Sequence, residues 1–169
     1  MAIRRAHTAD AAVLSEFARR TFIDTFASQN RREDMEMYLA RTYSEARQLS
    51  ELQNENVLTL LSEADGALNG FAQMRRGPAP AFVTGTSAVE IVRFYVDRPW
   101  HGRGIAKALM RSVEETARDL GIDTVWLGVW ERNDRAISFY RKLGFGTVGS
   151  QPFVLGTDVQ TDHVMMKRV

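Results

Sequence analysis

Tyr95-Val96-Asp97-Arg98-Pro99-Trp100-His101-Gly102-Arg103-Gly104-Ile105-Ala106 carries an apolar run into a proline break and out again as the glycine-rich opening of a helix. Upstream, Val89 to Val96 is β-branched and aromatic, as a mostly buried strand should be. Downstream, Ile105, Ala106, Leu109, Met110, Val113, Ala117 and Leu120 recur at helical spacing, opposite Arg103, Lys107, Arg111, Glu114 and Arg118, and Gly121 closes the helix. A helix that opens at glycines leaves several backbone N–H groups unpaired, adds the positive end of its dipole, and puts no side chain in the way. The stretch therefore reads as a cradle for a pyrophosphate. A plain strand–turn–helix junction would use the same two glycines, so Gly102 and Gly104 alone leave both readings open. Two other phosphate loops fail on spacing: a dinucleotide fingerprint needs glycine where Lys107 stands, and no Gly-Lys-Ser/Thr follows a four-residue gap.

A chain of 169 residues suits one domain with a sizeable core, spanning 1–169. There is no cysteine, hence no disulfide, thiolate nucleophile or thiolate metal site, and the three histidines, His7, His101 and His163, lack ligand spacing. No metal is expected. The formal net charge is +1, with basic residues dispersed among acids, so the footprint of a nucleic-acid binder is missing. Neither a signal-type apolar stretch nor a membrane-length run appears, which makes a cytoplasmic protein without a membrane partner the expectation.

From the start, Ile3 to Ala6 reads as a strand, and Thr8 or Asp10 can cap a helix carrying Ala12, Val13, Phe17, Ala18, Phe22 and Phe26. The charged run Asn30 to Asp34 reads as a solvated connector to a helix over Met35–Arg41, and a third helix follows over Ser44–Gln53, capped by Ser44. Val57–Leu61 and Asn69–Arg75 form strands joined around Asp65-Gly66, a hairpin signal. The segment from Gly77 to Gly85 is a turn-rich loop. Beyond the central helix come a strand, Thr124–Trp130, a helix with Ala136, Phe139, Tyr140 and Leu143 on one face, and two antiparallel strands, Gly146–Leu155 and Gln160–Lys167. This order predicts an α/β fold: a mixed, mainly antiparallel central sheet with helices on both faces.

The second informative stretch runs from Glu131-Arg132-Asn133 to Ser138-Phe139-Tyr140-Arg141-Lys142-Leu143-Gly144-Phe145. Alone, Asn133 is a helix cap and Tyr140 a core aromatic. Together with His101-Gly102-Arg103-Gly104-Ile105-Ala106, however, the stretch resembles the GCN5-related N-acetyltransferase (GNAT) superfamily. That family's loop reads Gln or Arg, two residues, Gly, one residue, then Gly or Ala; His101 departs from it. The words Trp126-Leu127-Gly128-Val129-Trp130-Glu131 and the tail from Gly156 to Met166 are similar to the PaiA-type spermidine/spermine N-acetyltransferases. The likeness covers essentially the whole chain and is weakest between Arg31 and Gln53.

The resemblance implies transfer of an acetyl group from acetyl-CoA to a primary amine, with coenzyme A as cosubstrate, a small-molecule amine as partner, and a homodimer left open as the quaternary state. It implies that Tyr95 and Val96 pair with the pantetheine arm, that His101, Gly102 and the amides of Arg103, Gly104, Ile105, Ala106 and Lys107 hold the pyrophosphate, and that Asn133 belongs to the cofactor site. The sheet should splay between Val89–Val96 and Val125–Trp130, where Gly128 leaves room. Tyr140 is implied as the general acid for the leaving thiolate, a transfer uphill by roughly 2 kcal/mol given free pKa values of about 10 and 8.5. An alkylamine of pKa about 10.4 is neutral only about once in 2,500 molecules at pH 7, so a proton acceptor or a water chain must help. Glu90 and Glu131, one on each splayed strand, are the candidate bases. For a polycationic acceptor the candidate carboxylates are Glu33, Asp34, Glu36, Glu131, Asp158 and Asp162. Other acceptors of the same chemistry are a peptide N-terminus, a lysine or an aminoglycoside, and a non-catalytic CoA-binding module is the alternative outside enzymes.

Overall fold

The computed structural model describes residues 1–169. Its strands are β1 (Ala2–Arg5), β2 (Val57–Ala64), β3 (Ala67–Arg76), β4 (Ala88–Val96), β5 (Thr124–Trp130), β6 (Gly146–Leu155) and β7 (Asp158–Arg168). The helices are α1 (Ala11–Phe26), α2 (Arg32–Thr42), α3 (Glu45–Leu52), α4 (Ile105–Asp119) and α5 (Asp134–Lys142). One seven-stranded sheet runs β1-β2-β3-β4-β5-β7-β6. Every neighbouring pair is antiparallel except β4 and β5. No helix is long and apolar enough to cross a membrane.

The parallel pair is short. It starts at Ala88 opposite Thr124 and ends at Ile91 opposite Leu127, although β4 continues to Val96 and β5 to Trp130. Just where pairing stops, the β3–β4 register shifts: Gln73 faces Arg93 while Met74 faces Ile91, so Val92 is the extra residue. A bulge bends its strand and sharpens the twist, and here it turns the end of β4 away from β5. The expected splay is present, and it coincides with the bulge.

Two cores cover the two faces. Leu109, Met110 and Val113 of α4 pack with Ile137 and Tyr140 of α5 on Val89, Ile91, Val125, Leu127 and Val129. On the other face Leu14, Phe17 and Phe22 of α1 and Met35 and Leu39 of α2 pack on Leu61, Phe71 and Leu155. The period-2 alternation of β5 sends Val125, Leu127 and Val129 to the first face and Trp126, Gly128 and Trp130 to the second. The β2–β3 hairpin turns at Asp65 (φ 53°) and Gly66 (φ 77°), the geometry its sequence signals.

Three expectations need correction. Val13 and Leu120, placed on apolar faces by periodicity, are each 46% exposed; Leu120 is the C-cap, past the end of α4. The helix over Met35–Arg41 begins earlier, at Arg32, so the charged run is not a connector. Asp34 within it is buried, accepting hydrogen bonds from the Thr157 backbone N–H (2.6 Å) and Oγ1 (2.7 Å) in the β6–β7 turn. Those bonds hold its carboxyl below the usual range. Contact between residues this remote in sequence leaves no local pattern.

Candidate active site

The parting of β4 and β5 opens a cleft of about 540 Å³ whose lining comes from both faces of the sheet. At one end lies the start of α4. Gly102 (φ 78°) and Gly104 (φ 84°) hold left-handed backbone, and a Cβ built on either would meet nothing within 4 Å, so open space lies in front of both. The first bond into the helix is Ala108 N–H to Gly104 C=O (3.0 Å); the N–H groups of Gly102, Gly104, Ile105, Ala106 and Lys107 donate to no backbone carbonyl. This is the set of free donors that a pyrophosphate can accept from.

Nearly all the residues singled out from sequence meet here. Tyr95, Val96, His101, Gly102, Gly104, Ile105, Ala106, Lys107, Asn133, Tyr140 and Glu90 all line the cleft. His101 also braces the loop, since its Nε2–H donates to the carbonyl of Val96 (2.7 Å) and ties the glycine turn to the end of β4. Arg103 does not line the cleft; its guanidinium lies 5.2 Å from the Trp100 ring centroid, and its N–H already donates to Trp100 C=O (3.4 Å). Asn133 accepts from Ala136 N–H (3.2 Å) as the N-cap of α5 while also facing the cleft. A second, polar cavity of about 340 Å³ adjoins at Val96, His101 and Asn133 and is walled by Arg98, Arg132 and Arg135 with Asp24 and Asp134.

Tyr140 enters from the α4–α5 face, edge-on to the rings of Phe94 (6.2 Å), Phe139 (5.4 Å) and Phe145 (5.7 Å). Its hydroxyl makes no hydrogen bond within the protein, and burial pushes its pKa up, so it remains protonated. Glu90 lies in the cleft but is held by Arg75 (2.7 Å). Glu131 is exposed and outside the cleft, one residue beyond β5; its N–H donates to Thr161 C=O (3.0 Å). The pair of candidate bases is thus not assembled.

The opposite end of the cleft is a chamber walled by α1 and α2 above and β4 to β7 below. Phe22 stacks on Tyr38 (4.8 Å), Tyr38 meets Phe153 (5.5 Å), and Phe26 meets Trp130 (6.2 Å). Of the six carboxylates considered for a cationic acceptor, Asp162 alone lines this space. Asp34 is consumed by Thr157, Glu36 pairs with Arg32 (2.7 Å), and Asp158 accepts from the Gln160 amide (2.9 Å). Asp162 is 8% exposed and has neither ion pair nor hydrogen bond; burial raises its pKa to about 6. A Cβ on Gly128 would lie 3.0 Å from its Oδ2 and 3.0 Å from Gln151 Nε2, so the missing side chain at 128 is what admits both groups.

Sequence reasoning missed the buried network behind the chamber. Arg93 bonds both carboxylate oxygens of Glu51 and the Gln73 amide oxygen (2.7 Å), with its guanidinium 5.0 Å from the Tyr43 ring centroid. Burial alone would push Glu51 up, but Arg93 outweighs it and holds the carboxylate ionised. The cation is thereby neutralised where the cleft passes it. A polar residue at 73 and at 93 in otherwise apolar strands was the only available signal, and Glu51, in a polar helix, carried none.

Residues 14–145 match the sequence model of the Acetyltransferase (GNAT) family. An uncharacterized N-acetyltransferase of Mycobacterium tuberculosis is 34% identical over 160 residues, covering 95% of this chain and 98% of that protein. A spermidine N(1)-acetyltransferase of Thermoplasma acidophilum is 29% identical, covering 85% of this chain and 86% of its own. Among solved structures, the PaiA N-acetyltransferase of Thermoplasma acidophilum in complex with coenzyme A superposes with a TM-score of 0.81 at 27% identity, covering 99% of this chain and 98% of the other.

Proposed function

The chain belongs to the GNAT acetyltransferase family and is an acetyl-CoA-dependent N-acetyltransferase, and from that premise we propose that its acceptor is a primary amine of the polyamine class, spermidine or spermine. The observation that carries the reading is the cleft itself: free amides at the start of α4 on one side, a lone buried carboxylate in an aromatic chamber on the other. Acetyl-CoA supplies the activated acetyl group as a thioester. The amides of Gly102, Gly104, Ile105, Ala106 and Lys107 would hold its pyrophosphate, and the backbone of Tyr95 and Val96, unpaired with β5, would hydrogen-bond its arm. Arg98, Arg132 and Arg135 in the adjoining cavity suit further phosphate. Tyr140 would give its proton to the departing sulfur, and the phenyl rings around it keep water away.

For the acceptor, aromatic faces and one carboxylate recognise a single ammonium group well. The spermidine N(1)-acetyltransferase relative supports a polyamine carrying that group. A second reading rests on the same chamber: with Asp162 the single free carboxylate, a monoamine on an apolar body would be accommodated as well as a polycation. The test is release of free thiol from acetyl-CoA with spermidine, spermine, an alkyl monoamine, an aryl-alkyl monoamine, a peptide N-terminus and an aminoglycoside. A kcat/KM for spermidine at least about tenfold above the monoamines is expected, a difference of about 1.4 kcal/mol. Preference for a monoamine would replace the polyamine assignment, and thiol release with no amine would leave a CoA-binding module.

A further inference from the structure

We propose that Asp162 is the catalytic base, taking the proton from the acceptor ammonium on the face of the sheet opposite Tyr140. This rests on the amine acetyltransferase reading above and puts Asp162 in the role for which the sequence offered Glu90 and Glu131.

Register pairs Asp162 with Trp130, the last residue of β5, and with Gln151 of β6. By strand alternation Asp162 shares the face of Trp130, Trp126 and Gly128, whereas Tyr140 belongs to the core on the other face. Acid and carboxylate therefore address the gap from opposite sides, as a reaction with a thiolate leaving one way and an amine arriving the other requires. Oδ2 lies over Gly128, at the level where β5 has lost its pairing to β4. A buried carboxylate without a partner costs stability and is retained where a ligand completes it.

The other charged groups around it are already engaged or elsewhere. On β4, Arg93 is neutralised by Glu51 of α3 and Glu90 by Arg75. Lys107 and Arg135 sit in the first turns of α4 and α5, at the glycine-turn end, as does His101. Tyr38 and Tyr43, which face the chamber from α2 and its end, are pushed up by burial and stay neutral.

The proton balance closes. The bound ammonium gives one proton to the Asp162 carboxylate, and the neutral nitrogen forms its bond to the acetyl carbon as the carbon–sulfur bond breaks. Sulfur takes the Tyr140 proton, the surplus proton on the new amide nitrogen restores the tyrosine hydroxyl, and Asp162 releases its proton through the chamber mouth. One amide, one thiol and one proton result.

The test compares the parent with Asp162→Asn and Asp162→Ser, using acetyl-CoA and primary amines of one length whose basicity is graded by fluorine substitution. With spermidine or the best unsubstituted amine, kcat should fall about 10²–10⁴-fold, the scale of general base catalysis, with KM for acetyl-CoA unchanged. In the parent the rate should decline as pH drops through about 6, where the carboxylate protonates. Both variants should lose the level region above it and instead climb with pH up to the amine's own pKa, as the neutral amine appears. The loss should shrink along the series as the amine becomes less basic, because a neutral amine needs no base. An equal loss for every amine would make Asp162 a binding or structural group and overturn the proposal, as would a variant that keeps both rate and pH profile. A parent that acetylates no amine would overturn the acceptor reading and this one together, whereas an active parent with unaffected variants overturns this one alone.

Discussion

Tyr140 shows how one side chain serves core and chemistry at once: three phenyl rings pack its ring while its hydroxyl is left without a protein partner in the cleft. The raised pKa that burial imposes makes it a weaker acid in isolation, but the same dry surroundings penalise a free thiolate, so the two shifts oppose each other. Tyr140→Phe should therefore lower kcat about 10²–10⁴-fold with coenzyme A affinity unchanged, measured by single-turnover thiol release and direct titration. Asp162 yields a stability prediction with the opposite sign to an ordinary paired carboxylate. Its folded pKa, about 6, lies above the ordinary value of 3.8, so the folded state holds the proton more tightly than the unfolded chain. The part of the stability that this group contributes is greatest below about pH 4 and is lost as pH rises through 6. Asp162→Asn should accordingly be more stable than the parent at pH 7–8, by on the order of 1–3 kcal/mol, with the gain fading at acid pH in denaturant melts. Which carboxylate faced the cleft was not legible in the chain, because Glu131 and Asp162 differ only in where β5 ends and which face β7 presents.

At the scale of elements, the glycine turn and α4 were readable because the change from strand to helix period and the two glycines are local signals. The pin between α2 and the β6–β7 turn was not, since Asp34 and Thr157 meet only after folding. That pin sets the roof of the aromatic chamber: Tyr38 is one turn along α2 from Asp34. Gly156 (φ 62°) makes it possible, for a Cβ there would collide with the backbone of Asp34. Gly156→Ala should cost more than about 1–2 kcal/mol from the left-handed backbone alone. It should also raise KM for the amine far more than for acetyl-CoA; an equal rise would mean that the pin does not shape the chamber. The β4 bulge is the other unread element, because nothing in Glu90-Ile91-Val92-Arg93 marks Val92 as the extra residue.

For the whole molecule, the order of strands and helices followed from periodicity, and the α/β class with it; the length of the parallel pairing did not, because it depends on that bulge. Acetyl-CoA bound in the gap would contact both β4 and the β5–α5 junction and so join what the sheet leaves apart. At a concentration about 100 times its dissociation constant it should add about 2.7 kcal/mol to unfolding, read as a rise in Tm, while the amine alone adds little. An unmoved Tm would mean that acetyl-CoA does not bind the folded chain. All strands on one side of the short β4–β5 pairing, β1 to β4, precede all strands on the other, β5 to β7, along the chain. The backbone is thus two consecutive antiparallel plates whose strand pairing to each other is a four-residue seam, bridged on both faces by the shared cores and the Asp34–Thr157 pin, with the exposed Gly121 between them along the chain. A split at Gly121 would leave each plate's own strand pairing whole and put the cleft at the boundary between the two pieces.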